Sequence, residues 1–250
     1  MGSINIFEIL KSYDFKKKVA VVIITSDKCY KNLEIKKGYK ESDTLGGVDP
    51  YSASKASAEL AIHSYFESFL KNKKNIKIVS CRAGNVIGGG DWSKNRLVPD
   101  CIRAWVNRKI VKIKNPHSTR PWQHVLEPLN AYLSLAAALD RGKNINGESF
   151  NVGPANKNSY KVSDLVKRMA NMWVGAKWKL DNKISFKESS LLKLNSKKIK
   201  KMISWEPLLD FNKSVEFTVK WYKRFNYNSS TISSETKSQI IYYMNNSKNK

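Results

Sequence analysis

Residues 19–25 form a run that is β-branched at every position but Ala20 and residues 76–81 a second apolar one, the pattern of buried parallel strands. Between them, residues 27–47 are polar and read as a loop. Asp49-Pro50, an N-cap followed by a first-turn proline, then opens a stretch with helical periodicity over 51–71, rich in Ala, Ser and Glu. Residues 4–10 read as the end of a helix whose beginning lies upstream of Met1. Strand, long loop, helix and strand in that order predict an α/β, doubly wound arrangement. Downstream, 84–90 is a glycine-rich turn, 97–107 and 125–139 are helices, and 150–153 is a short strand and stop. Residues 162–173 form a further helix, and smaller elements lead to an apolar helix at 214–221. From Asn226 onward the Asn/Ser/Lys-rich composition predicts a poorly ordered tail over 226–250.

The longest apolar runs, such as 19–24, fall far short of the roughly 18 to 20 residues a membrane span needs. No signal peptide opens the chain, so the expected location is the cytoplasm and no membrane partner is expected. At 250 residues with 41% apolar content the chain is long enough for a substantial core. Cys29, Cys81 and Cys101 lack the CxxC spacing of a zinc site and the framework of a disulfide-stapled domain, which predicts buried or half-buried free thiols. His63, His117 and His124 are likewise scattered, so no metal is expected.

Charge alone points elsewhere, since 45 basic against 21 acidic residues gives a net +24. Most of the basic residues are Lys and come with many Asn, Ile and Ser, as expected when biased nucleotide composition pushes surface positions toward Lys. A polyanion-binding patch is the other reading, but no helix-turn-helix, RRM or zinc-finger pattern accompanies it. A nucleic-acid partner is therefore not expected.

Tyr51 and Lys55 stand four apart on the predicted helix, so both side chains emerge on one face about a turn from each other. A phenol that must accept a proton near neutrality needs a nearby cation to stabilise its anion, because its free pKa is about 10. Lys55 would supply that charge. A Tyr-x-x-x-Lys tetrad alone arises by chance in most chains of this length. Its weight comes from Thr25-Ser26-Asp27-Lys28, placed at the carboxyl end of a predicted parallel strand, where open α/β sheets put their ligands.

Residues 25–30 (TSDKCY), 46–55 (GGVDPYSASK) and 82–92 (RAGNVIGGGDW) resemble motifs of the nucleotide-sugar 4,6-dehydratases of the extended short-chain dehydrogenase/reductase superfamily, most closely the CDP-glucose branch. Residues 120–128 (RPWQHVLEP) and Trp205-Glu206-Pro207 fit the same group, and the resemblance runs to about Tyr222. Extended dehydratases usually carry Asp-Glu after the strand, and the CDP-glucose branch is similar to this chain in having Asp27-Lys28. The resemblance implies NAD as cofactor, held through Thr25, Tyr51 and Lys55, and CDP-glucose as substrate. Tyr51 would remove the proton of the sugar 4-hydroxyl, with Ser26 hydrogen-bonding the same oxygen. Asp27 would protonate the departing 6-hydroxyl and Lys28 would take the C5 proton. A lysine acts as a base only if burial or neighbouring cations lower its pKa, and a plain loop lysine is the alternative. Asn85 would contact the diphosphate, with Arg96, Arg120 and His124 on segments lining the nucleotide pocket; any of the three basic residues could instead be an ordinary surface charge.

The glycine-rich strand-turn-helix that cradles the NAD pyrophosphate occurs nowhere in these residues. Met1 is similar in position to the middle of a family helix, so roughly 100 residues, about one βαβαβ half of the sheet, are expected to be missing upstream. The chain alone is then expected to expose a sheet edge, to bind NAD poorly, and to be inactive or aggregation-prone. Residues 187–195 (KESSLLKLN) keep only part of the family's pattern. The expected organisation is the remainder of a Rossmann domain over 1–87 and a smaller substrate-binding region over 88–225, with 120–153 returning to the sheet. The expected function is conversion of CDP-glucose to CDP-4-dehydro-6-deoxyglucose by a homodimer or a pairing with an intact homologous subunit. A related nucleotide-sugar epimerase or decarboxylase, and a non-catalytic basic protein holding nucleic acid or an anionic surface, are the alternatives.

Overall fold

The computed structural model describes residues 2–154, 160–181 and 191–247. In chain order its helices and strands are α1 (Gly2–Ser12), β1 (Val19–Ile24), α2 (Pro50–Tyr65), β2 (Ile76–Ala83), β3 (Val86–Ile87), α3 (Leu97–Val106), β4 (Val111–Ile113), β5 (Thr119–Arg120) and β6 (Gln123–His124). There follow α4 (Leu126–Asp140), β7 (Ser149–Val152), β8 (Tyr160–Lys161), α5 (Val162–Asn171), β9 (Trp178–Leu180), α6 (Lys197–Ile203), α7 (Phe211–Tyr227) and α8 (Ile232–Ser247). The chain divides into two compact units, one of residues 1–84, 128–156 and 192–206 and the other of residues 85–127, 157–191 and 207–250.

The first unit is built on a parallel sheet in the order β1-β2-β7, with Val19 opposite Ile76, Ile24 opposite Cys81 and Ser80 opposite Ser149. Alternation along β2 sorts its side chains to the two faces. Ile76 and Ile78, with Val21 and Ile23 of β1, pack against Phe7 and Leu10 of α1 and Ile62 and Phe66 at the α2 end. Val79 and Cys81, with Phe150 and Val152 of β7, pack against Ala131, Leu135 and Leu139 of α4 and Ile199 of α6. Burying each aliphatic side chain of this size stabilises the unit by about 1.5–3 kcal/mol. Helices on both faces of a parallel sheet are the α/β, Rossmann-like arrangement predicted above.

Two expectations about these elements need correction. β1 is not a fully buried strand: among the described residues it pairs with β2 alone, and Ile24 is 51% exposed. Among the described residues it is an edge strand, with Val21 and Ile23 packed toward α1 and α2 on one face and Val22 toward the α4 cluster on the other. The predicted helix over 51–71 ends as an α-helix at Tyr65 and closes in a π-helical turn, Phe66–Leu70. Gly147, at φ +84°, lies where a Cβ would collide with the Phe66 ring, so only glycine lets the chain pass that turn.

In the second unit Ile102 and Trp105 of α3, Leu165 and Met169 of α5, and Val215, Val219 and Tyr222 of α7 form the core. Short strands pair around it, β3 with β6 and β4 with β9 in parallel, β5 with β8 antiparallel. The poorly ordered tail predicted from Asn226 is not what the structure has, because α7 runs to Tyr227 and α8 follows over Ile232–Ser247. Gln239 and Tyr243, one turn apart, carry the buried stripe of α8: Gln239 Nε2 donates to the Phe217 carbonyl at 3.0 Å and the Tyr243 hydroxyl donates to Glu127 Oε2 at 2.7 Å. A window average over Asn, Ser and Lys hides so narrow a buried stripe. Residues 248–250 and part of the 187–195 segment lie outside the described residues.

Candidate active site

The carboxyl end of β1 runs into Thr25, Ser26 and Asp27, all buried, and then into a single 3₁₀ turn, Asp27–Cys29. Thr25 continues the strand pairing, its amide donating to the Cys81 carbonyl at 2.8 Å. Ser26 caps the turn in an extended conformation: its Oγ accepts from the Lys28 amide at 3.2 Å and donates to Asp27 Oδ1 at 2.9 Å. The turn thus holds a hydroxyl and a carboxylate together at a strand end, with Lys28 half-buried beside them.

α2 packs against this turn. Asp49 is its N-cap, accepting from the Ser52 amide at 3.0 Å and the Ser52 hydroxyl at 2.6 Å, and Pro50 occupies the first turn as the sequence predicts. Gly47 lets the incoming loop press on that first turn, since a Cβ there would meet Ser52. The Ser52 bonds hold the Asp49 carboxyl below the ordinary aspartate range, and the Lys28 charge adds to the effect. The cap therefore also presents an anion to Lys28. Tyr51 is 51% exposed, and Lys55 Nζ stands 5.7 Å from the Tyr51 ring centroid. The strand end and helix face singled out in the sequence are brought together in one unit.

Thr25, by contrast, directs its hydroxyl inward to Glu59 of α2. Glu59 is 3% exposed and pairs with Arg82 of β2, 4% exposed, at 2.8 Å. Burial disfavours the Arg82 charge, and the Glu59 carboxylate more than offsets this, raising the guanidinium pKa above its usual value. Sequence reasoning missed this pair. The available signal was an Arg inside an apolar strand and a Glu four residues after Lys55.

The remaining candidates lie in the second unit. β3 and β6 set Ile87 opposite His124, and the Asn85 carbonyl accepts from the Gln123 amide at 3.2 Å, so Asn85 and His124 are brought close. His124 is 2% exposed, its Nδ1 accepts from the Leu126 amide at 3.3 Å, and its ring meets Phe217 edge-on at 5.6 Å. The hydrogen therefore sits on Nε2, which has no partner among the described residues, and burial lowers the pKa to about 4. His124 is thus a neutral imidazole with a donor at Nε2. Arg120, also buried, donates from Nη1 to the Thr119 carbonyl at 2.9 Å, whereas Arg96 is exposed at the head of α3. The three thiols are buried and free, and burial pushes those of Cys29 and Cys101 up to about 12. Among the described residues no three His, Cys, Asp or Glu side chains gather as metal ligands, and no helix is long and apolar enough to cross a membrane.

Solved nucleotide-sugar dehydratases and epimerases share this fold. The dTDP-glucose 4,6-dehydratase from Bacillus anthracis, solved in complex with NAD, superposes with a TM-score of 0.73 at 21% identity, over 92% of this chain and 69% of that one. The UDP-glucuronic acid 4-epimerase from Bacillus cereus, in complex with UDP-glucuronic acid and NAD, gives 0.73 at 18% identity, over 89% of this chain and 66% of that one. The chain is therefore a Rossmann-like α/β protein of the nucleotide-sugar dehydratase and epimerase fold. It belongs to the GDP-mannose 4,6 dehydratase family, whose model it matches over residues 1–218. Among curated relatives, the CDP-glucose 4,6-dehydratase of Salmonella typhimurium is 41% identical over 228 residues, 89% of this chain. The match covers 63% of the Salmonella protein, so the chain spans less than two thirds of that relative's length.

Proposed function

We propose that this chain carries the sugar-processing machinery of a CDP-glucose 4,6-dehydratase, forming CDP-4-dehydro-6-deoxyglucose and water. The observation that carries the reading is the Ser26-Asp27-Lys28 turn packed against the helix of Tyr51 and Lys55, in a chain 41% identical to the Salmonella enzyme. The first unit serves as the cofactor-side domain and the second as the substrate-binding region. The exposed Tyr51 phenol and nearby Lys55 ammonium, at the carboxyl end of a parallel sheet, fit the nicotinamide end of NAD. The pyrophosphate-cradling glycine motif is not among these residues. NAD, when bound, takes up and returns hydride.

The chain's own residues handle protons and position. Tyr51 takes the proton of the sugar 4-hydroxyl, helped by the Lys55 charge, while Ser26 steadies the same oxygen. Once C4 is a ketone its neighbour C5 is acidic: Lys28 takes the C5 proton and Asp27 gives one to the 6-hydroxyl, which leaves as water. Asn85 and the Nε2–H of His124 meet acceptor oxygens of the nucleotide diphosphate, and the Arg96 and Arg120 guanidiniums add charge to that pocket. A homodimer through α1 and α2 agrees with the exposure of Ile6, Ile9 and Leu60 on these helices.

The test restores a glycine-rich cofactor-binding half to the chain and incubates the restored enzyme, with and without Tyr51→Phe or Lys28→Ala, with CDP-glucose and NAD, following NADH absorbance and product mass. The restored enzyme is expected to give a product lighter by one water, its Tyr51→Phe variant none, and its Lys28→Ala variant NADH without loss of water. A product of unchanged mass would favour the second reading, a nucleotide-sugar epimerase, which the equal TM-score of the Bacillus cereus epimerase keeps in view. Dehydration by Lys28→Ala at the wild-type rate would overturn the role of Lys28.

A further inference from the structure

Glu59 lies one turn beyond Lys55 and two turns beyond Tyr51 on α2. Because four residues overshoot a helical turn by about 40°, the stripe that is exposed at Tyr51 has rotated into the sheet by Glu59. There Oε1 accepts from the Thr25 hydroxyl, while Oε2 accepts from the Ser80 hydroxyl at 2.9 Å and from Arg82 Nη2 at 2.8 Å. Arg82 in turn donates from Nη1 to the Tyr30 hydroxyl at 2.8 Å and to the Glu41 carbonyl at 2.9 Å. Tyr30 donates onward to Asn151 of β7 at 2.7 Å, and the Asn151 amide donates to Glu41 Oε1 at 2.8 Å. One buried ion pair thereby ties together α2, the ends of β1 and β2, β7, and the loop after the Asp27–Cys29 turn.

Stability alone does not account for it. Well-packed apolar residues of like volume commonly replace a buried ion pair at no cost, whereas a fixed fork of charged hydrogen bonds sets angles that apolar contacts leave soft. We propose that Glu59 and Arg82 are positioning residues, which fix the rotation of α2 about its own axis and so the place of Tyr51 and Lys55 relative to Ser26 and Asp27. The consequence for turnover rests on the dehydratase reading. The consequence for local order does not.

The experiment compares wild type with Glu59→Gln and with the double variant Glu59→Gln/Arg82→Met, which removes both charges and so spares the fold an unpaired one. Ile62→Val on the same helix serves as the control for a modest loss of packing. Since misplacement of reacting groups by an ångström costs about a hundredfold, kcat on CDP-glucose of the enzyme restored with a cofactor-binding half should fall by that order in the double variant while KM holds, and Ile62→Val should keep its kcat. Independently of turnover, hydrogen exchange should quicken at the amides of residues 25–29 and 51–56, with β2 and α4 still protected. A double variant with wild-type kcat, or with unchanged exchange at those amides, would overturn the proposal. If the restored enzyme leaves CDP-glucose unchanged, the dehydratase reading fails and the exchange result, read on the chain alone, decides the positioning role.

Discussion

At the scale of the residue, the candidate site depends on side chains whose protonation is set by burial. His124 shows this most directly. Its folded pKa of about 4 lies below the ordinary 6.5 because the buried ring cannot easily hold a charge. The unfolded chain therefore binds a proton between about pH 6.5 and pH 4 that the folded chain refuses, so stability rises with pH across that window and is lost as pH falls through it. Between pH 7 and pH 5 the loss assignable to His124 amounts to about 2 kcal/mol. Denaturant titrations of wild type and His124→Phe at the two pH values should show a smaller drop for the variant. Equal drops would mean that His124 is not held neutral. The same burial that keeps Nε2 without a partner leaves it free to donate to a ligand oxygen, which links the stability profile to binding.

At the scale of the element, what could be read from sequence was what is local. Asp49-Pro50 before Tyr51 gave the start of α2 because an N-cap and a first-turn proline act within a few residues, and the Tyr51/Lys55 spacing gave a shared face for the same reason. The Glu59–Arg82 pair was not legible, because nothing within α2 or β2 says that residues 23 apart will meet in the interior. The apolar run of β1 reads as buried because it does not tell how many neighbours a strand will have, whereas its place at the edge of the described sheet agrees with the expected exposed sheet edge. α8 was missed because its hold on the second unit rests on Gln239 and Tyr243 rather than on an apolar face. The Glu127 carboxylate that receives Tyr243 also accepts from the Leu208 amide at 2.9 Å, so this helix and the segment before α7 share one buried anion. Tyr243→Phe should therefore lower stability by about 2 kcal/mol, the usual worth of a hydrogen bond to a charged group. It should also speed hydrogen exchange within Ile232–Ser247. A variant that matches wild type in both would show that α8 is held by other contacts.

At the scale of the whole molecule, the chain combines a Rossmann-like sheet unit with a second unit of helices and short strand pairs, and belongs to a family of nucleotide-sugar dehydratases. The net charge of +24 did not displace that reading, because charge states what a surface can attract and not what a site can do. The proposed chemistry is a dehydration in which the hydride taken from C4 returns to C6. It is tested by giving the enzyme restored with a cofactor-binding half CDP-glucose that carries deuterium at C4, with NAD present, and reading the product by mass and NMR. The product should be lighter by one water, with the deuterium in the C6 methyl group. Deuterium retained at C4, or a product that has lost no water, would contradict it.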